Sequence, residues 1–127
     1  MSVQILLIED DDAVRELLET VLKDAGYDVW PLPHGREAMK VLNVVSVDMV
    51  VTDIIMPEQD GIETIMKIRR LLPRLPIIAM SGGGRLNLEQ YLKIAKIVGA
   101  TRLLAKPFQP ADLLSLIDKM LQFQVDT

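Results

Sequence analysis

Apolar runs of strand length alternate with helical patterns along this chain. Residues 3–8 form the first run, and Ile5-Leu6-Leu7-Ile8 within it is uninterrupted. Over 13–25, Val14, Leu17, Leu18, Val21 and Leu22 recur at 3.6-residue spacing, which predicts an amphipathic helix that Gly26 ends. Residues 28–32 make a short strand, and Pro31 within it marks a sheet edge. The pattern then predicts a helix over 36–43 with Ala38, Met39 and Leu42 inward, a strand over 48–52, and a helix over 62–72 closed by Pro73. Pro76 introduces a strand over 77–80, and a glycine-rich stretch leads to a helix near 88–98. Residues 102–105 form the fifth strand, and the last helix spans 110–123 with Pro110 in its first turn.

Strands that are continuously apolar are buried on both faces, which implies a parallel sheet covered by helices. Five repeats of strand then helix imply right-handed crossovers and a doubly wound α/β sandwich with helices on both faces. The chain has 127 residues, 50% of them hydrophobic, enough for a single buried core. No linker, repeat or low-complexity tail interrupts it, so residues 1–127 read as one domain.

Composition narrows the chemistry. With no cysteine, disulfides, thiolate metal sites and thiol catalysis are excluded. A net charge of -4 argues against a broad basic surface for direct nucleic-acid contact. Two Phe, two Tyr and one Trp are too few for a stacking platform. No apolar stretch approaches membrane-spanning length and no signal-peptide pattern opens the chain, so neither membrane insertion nor export is expected, and the location is cytoplasmic.

Four acids, Glu9-Asp10-Asp11-Asp12, stand between the first strand and its helix. In an α/β sheet that is where the binding crevice lies. Adjacent like charges raise one another's pKa unless a cation is present, and hard oxygen donors suit Mg²⁺ better than Zn²⁺. Capping the helix accounts for Asp12, with Asp11 a weaker candidate, and leaves Glu9 and Asp10 without a structural task.

The remaining strand ends carry Asp53, Ser81 and Lys106-Pro107. A carboxylate can act as a nucleophile toward phosphorus, and a divalent cation with a lysine can neutralise the charge that develops. Asp53 ends a central strand between the acids and Ser81, which makes it the best nucleophile candidate. The Ser81 hydroxyl can hydrogen-bond a transferred phosphoryl oxygen.

With these residues in view, the chain resembles the receiver domains of two-component response regulators over nearly its whole length. The resemblance rests on Leu6-Leu7-Ile8-Glu9-Asp10-Asp11, on Asp53-Ile54-Ile55-Met56-Pro57 running to Asp60-Gly61, on Ser81-Gly82, and on Lys106-Pro107-Phe108. It implies a CheY-like, flavodoxin-like sheet of strand order 2-1-3-4-5. It also implies Asp53 as the phosphoacceptor and Ser81 and Lys106 as phosphoryl-binding groups. Mg²⁺, with Mn²⁺ as an alternative, would be held by Asp10, Asp53 and the main-chain carbonyl of Ile55, with Glu9 acting through water. A cis peptide between Lys106 and Pro107 follows from the same likeness. So do the partners: a sensor histidine kinase or histidine phosphotransfer protein as donor, and a downstream protein target. No output domain is expected within these residues, and the domain is a switch that assists its own phosphorylation rather than an enzyme.

Two positions depart from that pattern. Receivers carry an aromatic residue three positions before the active-site lysine, and here it is Leu103. The spacing from Ser81 to Lys106 is longer by about one helical turn, which Gly82-Gly83-Gly84-Arg85-Leu86-Asn87 absorbs. That stretch is either a plain loop or a segment that relocates when phosphate arrives. Ile55 and Gly83, two residues after Asp53 and Ser81, cannot orient a hydrolytic water, so a long-lived aspartyl phosphate is expected.

Rival readings fit less well. An FMN phosphate wants glycine and hydroxyl donors after the first strand, where four acids would repel it. An aspartate-based phosphatase wants a second acid two residues after Asp53, where Ile55 stands. A degenerate receiver that only binds partners would not retain the acids, Asp53, Ser81 and Lys106 together. His34 is expected at the surface and Trp30 in packing, and Arg69, Arg70 and Arg74 read as a solvated helix end and loop.

Overall fold

The computed structural model describes residues 2–54, 61–81 and 99–125, with the side chains of residue 81 and residues 123–125 outside the description. Five parallel strands are present: β1 (Gln4–Ile8), β2 (Asp28–Leu32), β3 (Met49–Asp53), β4 (Ile77–Ser81) and β5 (Arg102–Ala105). They form one sheet in the order β2-β1-β3-β4-β5, as the resemblance implied. The described helices are α1 (Asp12–Asp24), a 3₁₀ turn (Gly35–Glu37) running into α2 (Ala38–Val44), α3 (Gly61–Leu71) and α4 (Pro110–Val125). The helix expected near 88–98 lies outside the described residues. So does the glycine-rich stretch before it.

Strand alternation builds two cores. Leu6, Ile8, Val50, Ile77 and Ala79 face one side and pack with Ala38 of α2 and Ile65 and Ile68 of α3. Ile5, Leu7, Met49, Val51, Ile78 and Met80 face the other and pack with Leu18 and Leu22 of α1 and Leu113 and Ile117 of α4. Each of these residues is 2% exposed or less, so every central strand is buried on both faces, which is why it reads as a continuous apolar run. Met39 and Leu42 turn inward beside Ala38 as predicted. Leu17 does not follow its helical stripe and is 54% exposed.

β2 is an outer strand, where the missing N–H of Pro31 is tolerated. Its Trp30 is 40% exposed and donates Nε1–H to Gln4 Oε1 at 2.7 Å, so the ring is anchored by one edge more than packed. Gly26, at φ +98°, takes the left-handed conformation that ends α1, and its N–H reaches Lys23 O at 3.0 Å.

Candidate functional site

The parallel topology sets the C-terminal ends of β1, β3 and β5 on one rim, where a doubly wound sheet opens its crevice. Glu9 follows β1 and is completely buried, Asp53 is the last residue of β3 and 5% exposed, and Lys106 follows β5. The Lys106 ammonium donates to Glu9 Oε1 at 2.6 Å and to Asp53 Oδ2 at 3.2 Å. Oxygens of Glu9, Asp10 and Asp53 all lie within 4.8 Å of one another. Three acids therefore meet one cation, and negative charge is in excess.

Electrostatics records that excess. Burial pushes the Asp53 carboxyl above the usual carboxylate range, more than the Lys106 charge and hydrogen bond pull it back, and the Asp10 charge adds to the rise. Asp10 is also raised, by burial first and then by its hydrogen bond and charge contact with Glu9. Burial works to lower Lys106, but the Glu9 hydrogen bond and the Asp53 and Glu9 charges outweigh it and the ammonium is held above its ordinary value.

A small divalent cation fits these residues. The Oδ1 of Asp53 is buried with no hydrogen-bond partner, and an orphaned carboxylate oxygen beside two further acids is a hard-donor set in need of a positive charge. Glu9, Asp10 and Asp53 are the side chains that would hold it. The Ile55 carbonyl, also expected among the ligands, lies outside the described residues, as do Ile55 and Gly83 as flanking groups.

The acidic turn is built more tightly than its sequence suggested. Asp11, not Asp12, caps α1: its backbone is extended and its Oδ1 accepts the Val14 N–H at 3.0 Å. Asp12 lies inside the helix and pairs with Arg15, Oδ1 to Nη2 at 2.6 Å. Arg15 also donates Nη1–H to the Glu9 carbonyl at 2.9 Å, and Glu9 Oε2 accepts the Asp11 N–H at 3.2 Å. Arg15 was missed in the sequence, although its spacing of three from Asp12 is a helical pairing signal.

Ser81 closes β4 in register with Ala105, the residue before Lys106; its side chain is outside the description. Gly61, the first residue of α3, donates its N–H to Ile54 O at 2.9 Å, and a Cβ there would clash with Asp53 O. Only glycine lets the helix start so close to the strand end that carries Asp53. The Lys106–Pro107 peptide is cis. Leu103, at the position of the receiver aromatic, packs on the α2 and α3 side of the sheet. His34 Nε2 accepts from Arg36 Nη2 at 3.1 Å, on the loop after β2.

Arg69 departs from the solvated helix end expected of it. Its Nε and Nη2 donate to Gly99 O at 3.0 and 2.7 Å, and its Nη1 to Leu72 O and Pro73 O at 3.2 and 2.9 Å. Burial lowers its pKa. The guanidinium ties the end of α3 to the chain approaching β5.

A flavodoxin-like sheet with an acid and lysine cluster on its carboxyl edge defines the architecture of CheY-like signalling domains. The response regulator receiver domain family matches residues 5–118, and this chain belongs to that family. It is similar to chemotaxis protein CheY of Thermotoga maritima, 33% identical over 122 residues that cover 94% of this chain and 98% of the relative. Response regulator receiver protein CpdR of Brucella abortus is 35% identical over 118 residues, covering 93% and 96%. Among solved structures, a CheY-like receiver domain protein from Methanospirillum hungatei superposes with a TM-score of 0.89 at 26% identity, covering 99% of this chain and 98% of that one. Other relatives are longer transcriptional regulators, of which the chain spans about half. The family serves two-component signal transduction, and its members are signalling domains that work with histidine kinases and downstream effectors rather than classical enzymes. No described helix is long and apolar enough to cross a membrane.

Proposed function

We propose that Asp53 accepts a phosphoryl group from a phosphohistidine on a sensor histidine kinase or a histidine phosphotransfer protein, and that the modified domain acts on a downstream protein in the cytoplasm. An Asp53 carboxylate oxygen attacks phosphorus, the new O–P bond forms as the N–P bond breaks, and the imidazole leaves with the electron pair and takes up a proton. Lys106 would follow the charge: once Asp53 carries phosphate, its ammonium can shift from the carboxylate to a phosphoryl oxygen while Glu9 still holds it. Ser81, at the end of the neighbouring strand, would supply a hydroxyl to another phosphoryl oxygen. Mg²⁺, or Mn²⁺ in its place, would be held by Glu9, Asp10, Asp53 and the Ile55 carbonyl, and would neutralise charge on the transferred oxygens. The output is a population shift of a protein-binding surface rather than turnover.

The observation that carries this reading is the bridging of Glu9 and Asp53 by Lys106 while Asp53 Oδ1 stays buried and unpartnered. Borohydride trapping tests it. After treatment with acetyl phosphate and Mg²⁺, reduction of the acyl phosphate converts the acceptor aspartate to homoserine, and peptide mass spectrometry should find that change at Asp53. Homoserine at Asp10 or elsewhere, with Asp53 intact, would overturn the assignment.

A further inference from the structure

A cavity of about 240 Å³ opens at the N-terminal ends of β4 and β5, the opposite ends from the acidic rim. Leu116 and Met120 of α4 and Pro76 give it an apolar lining, and Thr101, Arg74, Arg102 and Lys119 complete it. Met120 and Pro76 are buried, whereas the three cations are exposed. No acid among the described residues lines the cavity. Among the described residues, none of the three cations forms a salt bridge, and Arg102 donates only to the adjacent Thr101 O, at 3.0 Å. On a chain of net charge -4, this is a local reversal of sign around an apolar hollow.

The lining selects among anions. A free phosphate has no use for an apolar floor, and among the described residues no aromatic ring lines the hollow to stack a base. The volume is below that of a drug-sized pocket and suits one or two aliphatic side chains. We propose that this hollow receives an acidic segment of a partner protein, with a leucine-like side chain in the cavity and flanking carboxylates on Arg74, Arg102 and Lys119. Charge complementarity of this kind sets partner choice and association rate. The hollow lies about 13–16 Å from the rim along the strands, so its occupant leaves Asp53 accessible and the proposal does not depend on phosphoryl chemistry there.

The test is an NMR titration of the ¹⁵N-labelled full chain with a hexapeptide of two leucines flanked by glutamate pairs. Shift changes should centre on Thr101, Arg102, Leu116 and Met120. Charge reversal by Arg102→Glu with Lys119→Glu should weaken binding about tenfold or more, and raised salt should weaken it further. Arg74→Glu, on an exposed loop, should weaken it about threefold and serves if the double variant does not fold. The proposal is overturned by shifts centred elsewhere, by affinity indifferent to charge reversal, or by equal binding of a peptide with glycine in place of leucine. Tighter binding of phosphatidylserine vesicles or an oligouridylate than of the peptide would also overturn it.

Discussion

Lys106 stands closer to Glu9 than to Asp53, with its ammonium 2.6 Å from Glu9 Oε1 and 3.2 Å from Asp53 Oδ2. Glu9 is completely buried, and the lysine ammonium is the positive charge set against its carboxyl group there. Lys106→Met should therefore destabilise the metal-free protein by about 3–5 kcal/mol, the range for removing one partner of a buried pair. Urea unfolding at neutral pH measures this, and added Mg²⁺ should restore part of the loss.

Asp53 has the opposite effect on stability at neutral pH. Its carboxyl is raised in the folded state, chiefly by burial, so the native protein binds a proton more readily than the unfolded chain. The stability it contributes is fully present below the ordinary aspartate range and is lost as pH rises through the shifted value. Asp53→Asn removes that loss. Without metal at neutral pH the variant should melt about 2–6 °C above wild type, and the gap should narrow as pH falls toward the ordinary aspartate range. A gap that widens on acidification would reverse the sign assigned here.

Gly61 lets α3 start against the end of β3, which carries Asp53. A Cβ at this position would clash with Asp53 O and Ile54 O, both backbone atoms that cannot step aside. Gly61→Ala should cost about 2–3 kcal/mol and slow phosphorylation by acetyl phosphate. Denaturation and a timed mass measurement report the two effects separately.

Adjacent arginines should behave differently. Arg69→Ala removes four hydrogen bonds to the carbonyls of Gly99, Leu72 and Pro73 and should destabilise by about 2 kcal/mol. Arg70→Ala, at an exposed position, should stay within about 0.5 kcal/mol of wild type in the same urea titration.

The strands were legible because burial on both faces leaves uninterrupted apolar runs, as in Ile5-Leu6-Leu7-Ile8, whose alternate residues serve two different cores. The convergence of Glu9, Asp53 and Lys106 followed from parallel topology, which brings carboxyl ends to one edge whatever the loops do. Local choices were harder to read. Four consecutive acids do not reveal which one takes the extended backbone of a cap, and Asp11 rather than Asp12 does so. A guanidinium at a helix end looks solvated until the chain folds back to offer it carbonyls, as Gly99 does for Arg69. Leu17 shares the spacing of Leu18 and Leu22, yet nothing in the sequence shows that its side of α1 stays uncovered.

Intact-protein mass spectrometry after acetyl phosphate treatment tests whether Asp53 is phosphorylated and whether the reaction needs a metal. Wild type and Asp53→Ala are compared with Mg²⁺ and with a chelator. One phosphoryl mass should appear on wild type with Mg²⁺ and in no other sample. The same gain on Asp53→Ala, or no gain on wild type with Mg²⁺, would rule out Asp53 as a metal-dependent phosphoacceptor.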